Sequence, residues 1–95
     1  MLIDFDPAKR VATLEQRGLD FLDVAQVIVG QTVTSEDRRF DYAEPRFQTF
    51  GLLDGRLVMF AWTPISGGLR VISMRKCNDR EKIAFAARMG RSRPA

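Results

Sequence analysis

Apolar and polar positions alternate along this chain with two different periods, and the change of period divides it into elements. Residues 2–5 (Leu-Ile-Asp-Phe) read as a short first strand. Asp6-Pro7 opens a helix, because the Asp6 carboxylate can accept from free first-turn donors and Pro7 gives up no needed N–H there. That helix runs to about Arg17, with Val11 and Leu14 on one face and Gly18 ending it. A second helix is expected from Asp20. Leu19 and Val24 have the spacing of a hydrophobic staple, and Phe21, Ala25 and Ile28 form an apolar stripe up to Gly30.

The period then shortens to two. Thr32-Val33-Thr34 reads as a short strand, and the polar stretch from Ser35 to Glu44 as a loop. Arg46 to Leu53 and Arg56 to Thr63 read as two strands joined by Asp54-Gly55, a strong hairpin signal. Pro64 to Gly68 turns the chain, and Leu69 to Lys76 is a further strand. Asn78 opens the last helix with Glu81 three residues on, a capping-box spacing. The helix is expected to run to about Met89, where Gly90 stops it. Residues 1–90 then form one domain, and residues 91–95 a basic disordered tail.

The order β-α-α-β-β-β-β-α places two helices ahead of a strand meander and one after it. Tight turns between consecutive strands predict an antiparallel sheet, with the helices on one face, so the fold class is α+β. Strict alternation along the last strand would put Val71, Ser73 and Arg75 on one face, and Arg70, Ile72, Met74 and Lys76 on the other.

Composition narrows the function. The 95 residues are 45% hydrophobic and 28% charged, as in ordinary globular domains. No segment approaches the roughly 20 apolar residues of a spanning helix. The N-terminus lacks a basic region followed by an apolar stretch, and the single Cys77 allows no internal disulfide. A cytoplasmic protein is expected. There is no histidine, which removes the usual general base and the commonest metal ligand. Without a CxxC pair or a Gly-rich phosphate loop, no metal or other cofactor is expected. Catalysis would rest on Arg, Lys, Glu, Asp, Ser or Tyr.

Charge is uneven. Residues 1–69 carry 7 Lys/Arg against 10 Asp/Glu, whereas residues 70–95 carry 8 against 2. A basic third on a small domain suits a polyanionic partner, and equally a solvated helix face. Arg75 projects from a strand end beside the start of the last helix, where helix N-terminus and guanidinium together favour an anion. Lys76 and Arg80 can add contacts there. Alternatively Arg75 pairs with Asp79 or Glu81 across the strand–helix junction. Arg46 either pairs with Glu44 or points at a bound phosphate. Lys9 and Arg10 stand in the first turn of helix one, a poor place for cations, with Asp4 and Asp6 close enough to offset them. Trp62, Phe50 and Phe60 fit the core better than they fit nucleobase stacking. Cys77 reads as a small buried residue.

Five stretches line up in order with one family. Phe5-Asp6-Pro7-Ala8-Lys9-Arg10, and then Leu14 with Arg17-Gly18-Leu19-Asp20-Phe21, resemble the opening of the BrnT toxins. Arg46-Phe47 with Gly51, and Gly55-Arg56-Leu57-Val58 with Thr63, resemble two of the family's strands. Arg70-Val71-Ile72-Ser73-Met74-Arg75-Lys76, continuing to Arg80-Glu81, resembles the family's Arg-Ile-Ile-Ser-Ala-Arg-Arg element and the Arg-Glu of its last helix. The resemblance covers about residues 3–87. It implies a compact RelE-like fold and a metal-independent endoribonuclease that blocks translation in the bacterial cytoplasm. It also implies a BrnA-type antitoxin, through which the complex binds operator DNA.

In the chemistry so implied, an RNA 2′-hydroxyl attacks the adjacent phosphate, leaving a cyclic phosphate and a 5′-hydroxyl. Arg46 and Arg75 would stabilise the phosphorane, Lys9 and Glu81 would move protons, and Arg70, Lys76 and Arg80 would bind RNA. Three positions depart from the family pattern. Arg17 replaces a histidine, Phe85 a tyrosine, and Pro64 a charged residue after Thr63. The alternative reading is therefore a catalytically decayed relative or a non-catalytic module that binds nucleic acid or antitoxin.

Overall fold

The computed structural model describes residues 1–92. Strand β1 (Leu2–Phe5) leads into helix α1 (Pro7–Arg17), a 3₁₀ turn (Phe21–Asp23) and helix α2 (Val24–Ile28). Strands β2 (Thr32–Glu36), β3 (Phe47–Leu53), β4 (Arg56–Ile65) and β5 (Gly68–Lys76) follow, and helix α3 (Asp79–Ser92) closes the chain. The five strands form one sheet in the order β1-β5-β4-β3-β2. The fold is α+β.

Local chemistry sets the element ends. The Asp6 carboxylate accepts from the Ala8 N–H at 2.9 Å, and Gly18 ends α1 in the left-handed region at φ 68°, its N–H bonded to the Leu14 carbonyl. Asp54 and Gly55 have φ of 50° and 78°, the paired positive values of a type I′ hairpin between β3 and β4. At α3 the Glu81 N–H donates to Asn78 Oδ1 at 2.8 Å and the Asn78 N–H to Glu81 Oε1 at 3.0 Å, a closed capping box.

Several expectations are corrected. The sheet is mixed rather than antiparallel, because β1 runs parallel to β5 at its edge. No hairpin ties β1 to β5. The pairing sets the partly buried Ile3 and Phe5 beside Leu69 and Val71 at the edge of the core. The second helix is a 3₁₀ turn plus a five-residue helix, so Phe21, Val24 and Val27 are buried while Ala25 is exposed. The tighter turn advances the buried face by three residues at a time. Strand β4 runs on through Pro64 to Ile65, and β2 reaches Glu36. Helix α3 continues through Gly90 to Ser92. A mid-helix glycine costs about 1 kcal/mol against alanine but does not stop a helix unless it turns left-handed. Residues 93–95 of the expected tail lie outside the described residues.

The helices also lie on both faces. One core, built from Phe21, Val24, Val27, Val58, Phe60, Val71 and Met74 among others, fills the face toward α1 and α2. A smaller cluster of Leu57, Met59, Ala61 and Cys77, with Phe50, Ile72 and Phe85 against it, fills the other face under α3. Leu57 to Ala61 of the central strand β4 are buried without a break, so the sheet is apolar on both sides and needs two covers. Among the described residues no helix is long and apolar enough to cross a membrane.

Candidate active site

The face under α3 carries most of the candidate residues, and a β-bulge decides what it presents. Ala61 pairs with Ser73 and Trp62 with Val71, so Ile72 is the extra residue of β5. Val71 and Met74 thereby share the α1/α2 core, while Arg70, paired with Thr63, and Arg75, paired with Met59, share the opposite face. Strict alternation had separated Arg70 from Arg75, and the bulge reunites them.

At the Arg70 end, Lys9, Tyr42, Ala43, Glu44, Arg46, Thr63, Arg70 and Ile72 line a depression of about 280 Å³. Arg70 is oriented by Asp4 on the neighbouring strand at 2.7 Å. The Thr63 hydroxyl donates to the Pro45 carbonyl at 2.7 Å and fixes the backbone that delivers Arg46 to the start of β3. Among the described residues Lys9 and Arg46 form no ion pair. The alternative pairing of Arg46 with Glu44 is not made.

The loop between β2 and β3 holds Arg46 differently. The Asp37 N–H donates to the Arg46 carbonyl at 2.7 Å and closes the loop at its base. The buried Asp37 carboxylate accepts from Arg39 Nη2 at 2.9 Å, from Arg39 Nε at 3.0 Å and from the Tyr42 hydroxyl at 3.0 Å. Those bonds, from Arg39 above all, hold its carboxyl well below the usual carboxylate range against the opposing effect of burial. The Tyr42 ring in turn carries the Arg46 guanidinium 4.1 Å from its centroid.

Arg75 and Glu81 come together elsewhere. Both Arg75 Nη atoms donate to the Glu81 carboxylate at 2.8 Å, a bidentate pair joining β5 to α3. Arg75, with help from the Asn78 N–H, lowers the Glu81 carboxyl to about 2. Neither residue lines the depression. Lys76 pairs in register with Val58, on the opposite face from Arg75, and Arg80 is exposed in the first turn of α3. Lys9, Arg46 and Arg70 therefore converge, Arg75 and Glu81 form a separate pair, and Lys76 and Arg80 belong to neither group.

The remaining singled-out residues are structural. Arg17 Nη1 donates to the Met74 carbonyl at 2.8 Å, and Phe85 packs on the smaller core cluster. Trp62 stacks on Phe47 and donates Nε1–H to Thr49 Oγ1 at 2.8 Å. Burial, reinforced by Glu81, pushes the Cys77 thiol up to about 11, as suits an inert buried cysteine. Among the described residues no group of three or more His, Cys, Asp or Glu could hold a metal ion.

Sequence reasoning missed Asp37, Tyr42 and Thr63 as site residues and weighed Glu44 only as a partner. The one available signal was a lone tyrosine within a charged loop just ahead of Arg46.

A basic depression of this kind suits the phosphate of a nucleic acid, and the comparison with known families agrees. A family model described as ribonuclease toxin, BrnT, of type II toxin-antitoxin system matches residues 5–81, which include all the residues that line the depression. No curated protein matches the chain.

Proposed function

The chain belongs to the BrnT family of ribonuclease toxins from type II toxin–antitoxin systems, and from that premise we propose that it is an endoribonuclease acting without a metal ion. Its cleavage of RNA in the bacterial cytoplasm inhibits translation. A BrnA-type antitoxin neutralises it, and the complex meets operator DNA through the antitoxin. Family membership also supports reading the fold as RelE-like. The observation that carries the proposal is the convergence of Lys9, Arg46 and Arg70 on one depression, with Lys9 and Arg46 in no ion pair among the described residues.

The scissile phosphate sits among these three cations. The 2′-oxygen attacks phosphorus, its proton passes to a base, and the P–O5′ bond breaks as O5′ takes a proton from an acid. Arg46 stabilises the charge that grows on the phosphorane oxygens. Lys9, an ammonium in the same depression, is the proton donor to O5′. Glu44 on the same wall is the better-placed acceptor, because the Glu81 carboxylate is already engaged by Arg75 and Asn78. Arg70 grips phosphate, while Lys76 and Arg80 add long-range attraction for the RNA strand.

The test is incubation of antitoxin-free, folded protein with RNA in EDTA, beside Arg46→Ala and Lys9→Ala. Cleavage leaving cyclic-phosphate ends, which collapses in both variants, is the expected result. Intact RNA on free and ribosome-bound templates alike overturns the proposal in favour of the decayed relative.

A further inference from the structure

Beside the basic depression lies a second of about 360 Å³, and the two share Tyr42, Ala43, Glu44 and Arg46 as a common wall. Its outstanding feature is Phe40, a large aromatic ring left 68% exposed on a polar loop. Phe40 belongs to neither core cluster. Nor is it loose. Its ring meets the Tyr42 ring edge-on, centroids 5.8 Å apart at 76°, and the Arg39 guanidinium lies 5.9 Å from its centroid. Arg39 is anchored to the buried Asp37 carboxylate, which also takes the Tyr42 hydroxyl. One buried acid therefore fixes the tyrosine that carries Arg46 and the arginine that stands over Phe40.

From this arrangement we infer that Phe40 is the stacking platform of a nucleobase subsite, which receives the base next to the phosphate held by Arg46. An exposed, braced ring with a guanidinium over it is what single-stranded nucleic acid uses for base stacking, since every base has a π-face. The shared wall sets that ring's depression directly beside the basic one. A single strand presents unstacked bases, whereas a duplex must first flip one out at a cost, so the substrate at this site is single-stranded RNA. The inference rests on the ribonuclease reading for its choice of ligand, but its test does not require cleavage.

The experiment measures binding of the full chain to a short 2′-fluoro RNA, which lacks the attacking hydroxyl, with each position in turn made abasic. Phe40→Leu should weaken binding of the intact oligonucleotide about tenfold, within the range of one lost base stack. One abasic position should weaken the parent equally and weaken Phe40→Leu no further, and Phe40→Trp should restore the affinity. 2-Aminopurine at that position should be quenched by the parent and by Phe40→Trp but not by Phe40→Leu. A parent that binds and quenches in this way yet cleaves no RNA would sink the ribonuclease reading and leave the subsite standing. Equal affinity of the parent and Phe40→Leu for every oligonucleotide overturns the subsite. So does Phe40→Leu that loses its antitoxin while holding RNA as the parent does, which would make the ring a protein contact.

Discussion

The Arg46 guanidinium lies 4.1 Å from the centroid of the Tyr42 ring. A carboxylate partner would neutralise Arg46 and occupy its N–H fork. A ring face orients the guanidinium and leaves the in-plane donors open to a phosphate. Tyr42 is held by its hydroxyl bond to Asp37 and by its ring contact with Phe40, so the buried acid acts on Arg46 through an aromatic ring and not by direct pairing.

This geometry separates two roles for Tyr42. If the ring positions Arg46, Tyr42→Phe keeps the ring and should cost no more than two- to threefold in kcat, whereas Tyr42→Leu should cost about tenfold. Arg46→Ala should cost about 10²–10³. Single-turnover cleavage of a short RNA measures all three. A Phe variant as slow as the Leu variant, with one limb of the pH–rate profile gone, would instead make the hydroxyl a proton carrier.

Acid should undo the molecule through a defined set of carboxylates. Asp20 is held to about 2 chiefly by the Arg10 guanidinium, Glu81 to about 2 chiefly by Arg75, and Asp37 lower still, chiefly by Arg39. Each binds its proton more weakly folded than unfolded. Its contribution is therefore complete above the ordinary carboxylate range and is lost as pH falls from about 4.5 toward 2. Urea midpoints should be level from pH 7 to about 5 and then decline, with a shallower decline in Glu81→Gln. A profile level to pH 2.5, or an unchanged slope in that variant, contradicts the assignment.

What the sequence made legible was mostly local. The caps at Asp6 and Asn78, the Asp54-Gly55 turn and the apolar run of β4 depend on neighbouring residues, and their chemistry can be read along the chain. The site depended on three things that cannot. The bulge at Ile72 reverses the face of every later residue of β5, and no residue type announces it. The parallel pairing of β1 joins Asp4 to Arg70 across 66 positions. The Asp37–Tyr42–Arg46 arrangement lies in a stretch that reads simply as polar loop. Lys9 was legible as a badly placed cation on a helix start, a local conflict that its place in the depression explains.

The parallel edge strand makes a sharp demand on one glycine. A Cβ on Gly68 would overlap the Leu2 carbonyl oxygen, a backbone atom that cannot move aside alone. Gly68→Ala should therefore push β1 off β5, costing about 2–3 kcal/mol and lowering Tm by roughly 10–20 °C. Hydrogen exchange should show the amides of β1 losing protection first. A variant within 2 °C of the parent, with β1 still protected, would mean the edge adapts in a way this register does not allow.

The sequence offered two readings of Arg75, a phosphate ligand or a strut to the last helix, and one comparison decides between them. Helix α3 meets the sheet along a thin stripe of half-buried Glu81, Phe85 and Met89, while Ile83 on its other side is 72% exposed. A helix so lightly packed leans on its bidentate Arg75–Glu81 pair. Arg75 is partly exposed, so solvent limits that pair to about 1 kcal/mol. If the pair is a strut, Arg75→Ala and Glu81→Gln should lose similar stability, show little further loss together, and speed amide exchange in α3. Cleavage by either should stay within about tenfold of the parent. If Arg75 instead touches the phosphorane, Arg75→Ala should lose about 10²–10³ in rate, as Arg46→Ala does. Glu81→Gln, which frees the guanidinium, should then keep or raise the rate. Because α3 exchange and cleavage are read on the same two proteins, a slow Arg75→Ala with undisturbed α3 protection would reinstate Arg75 in the active site.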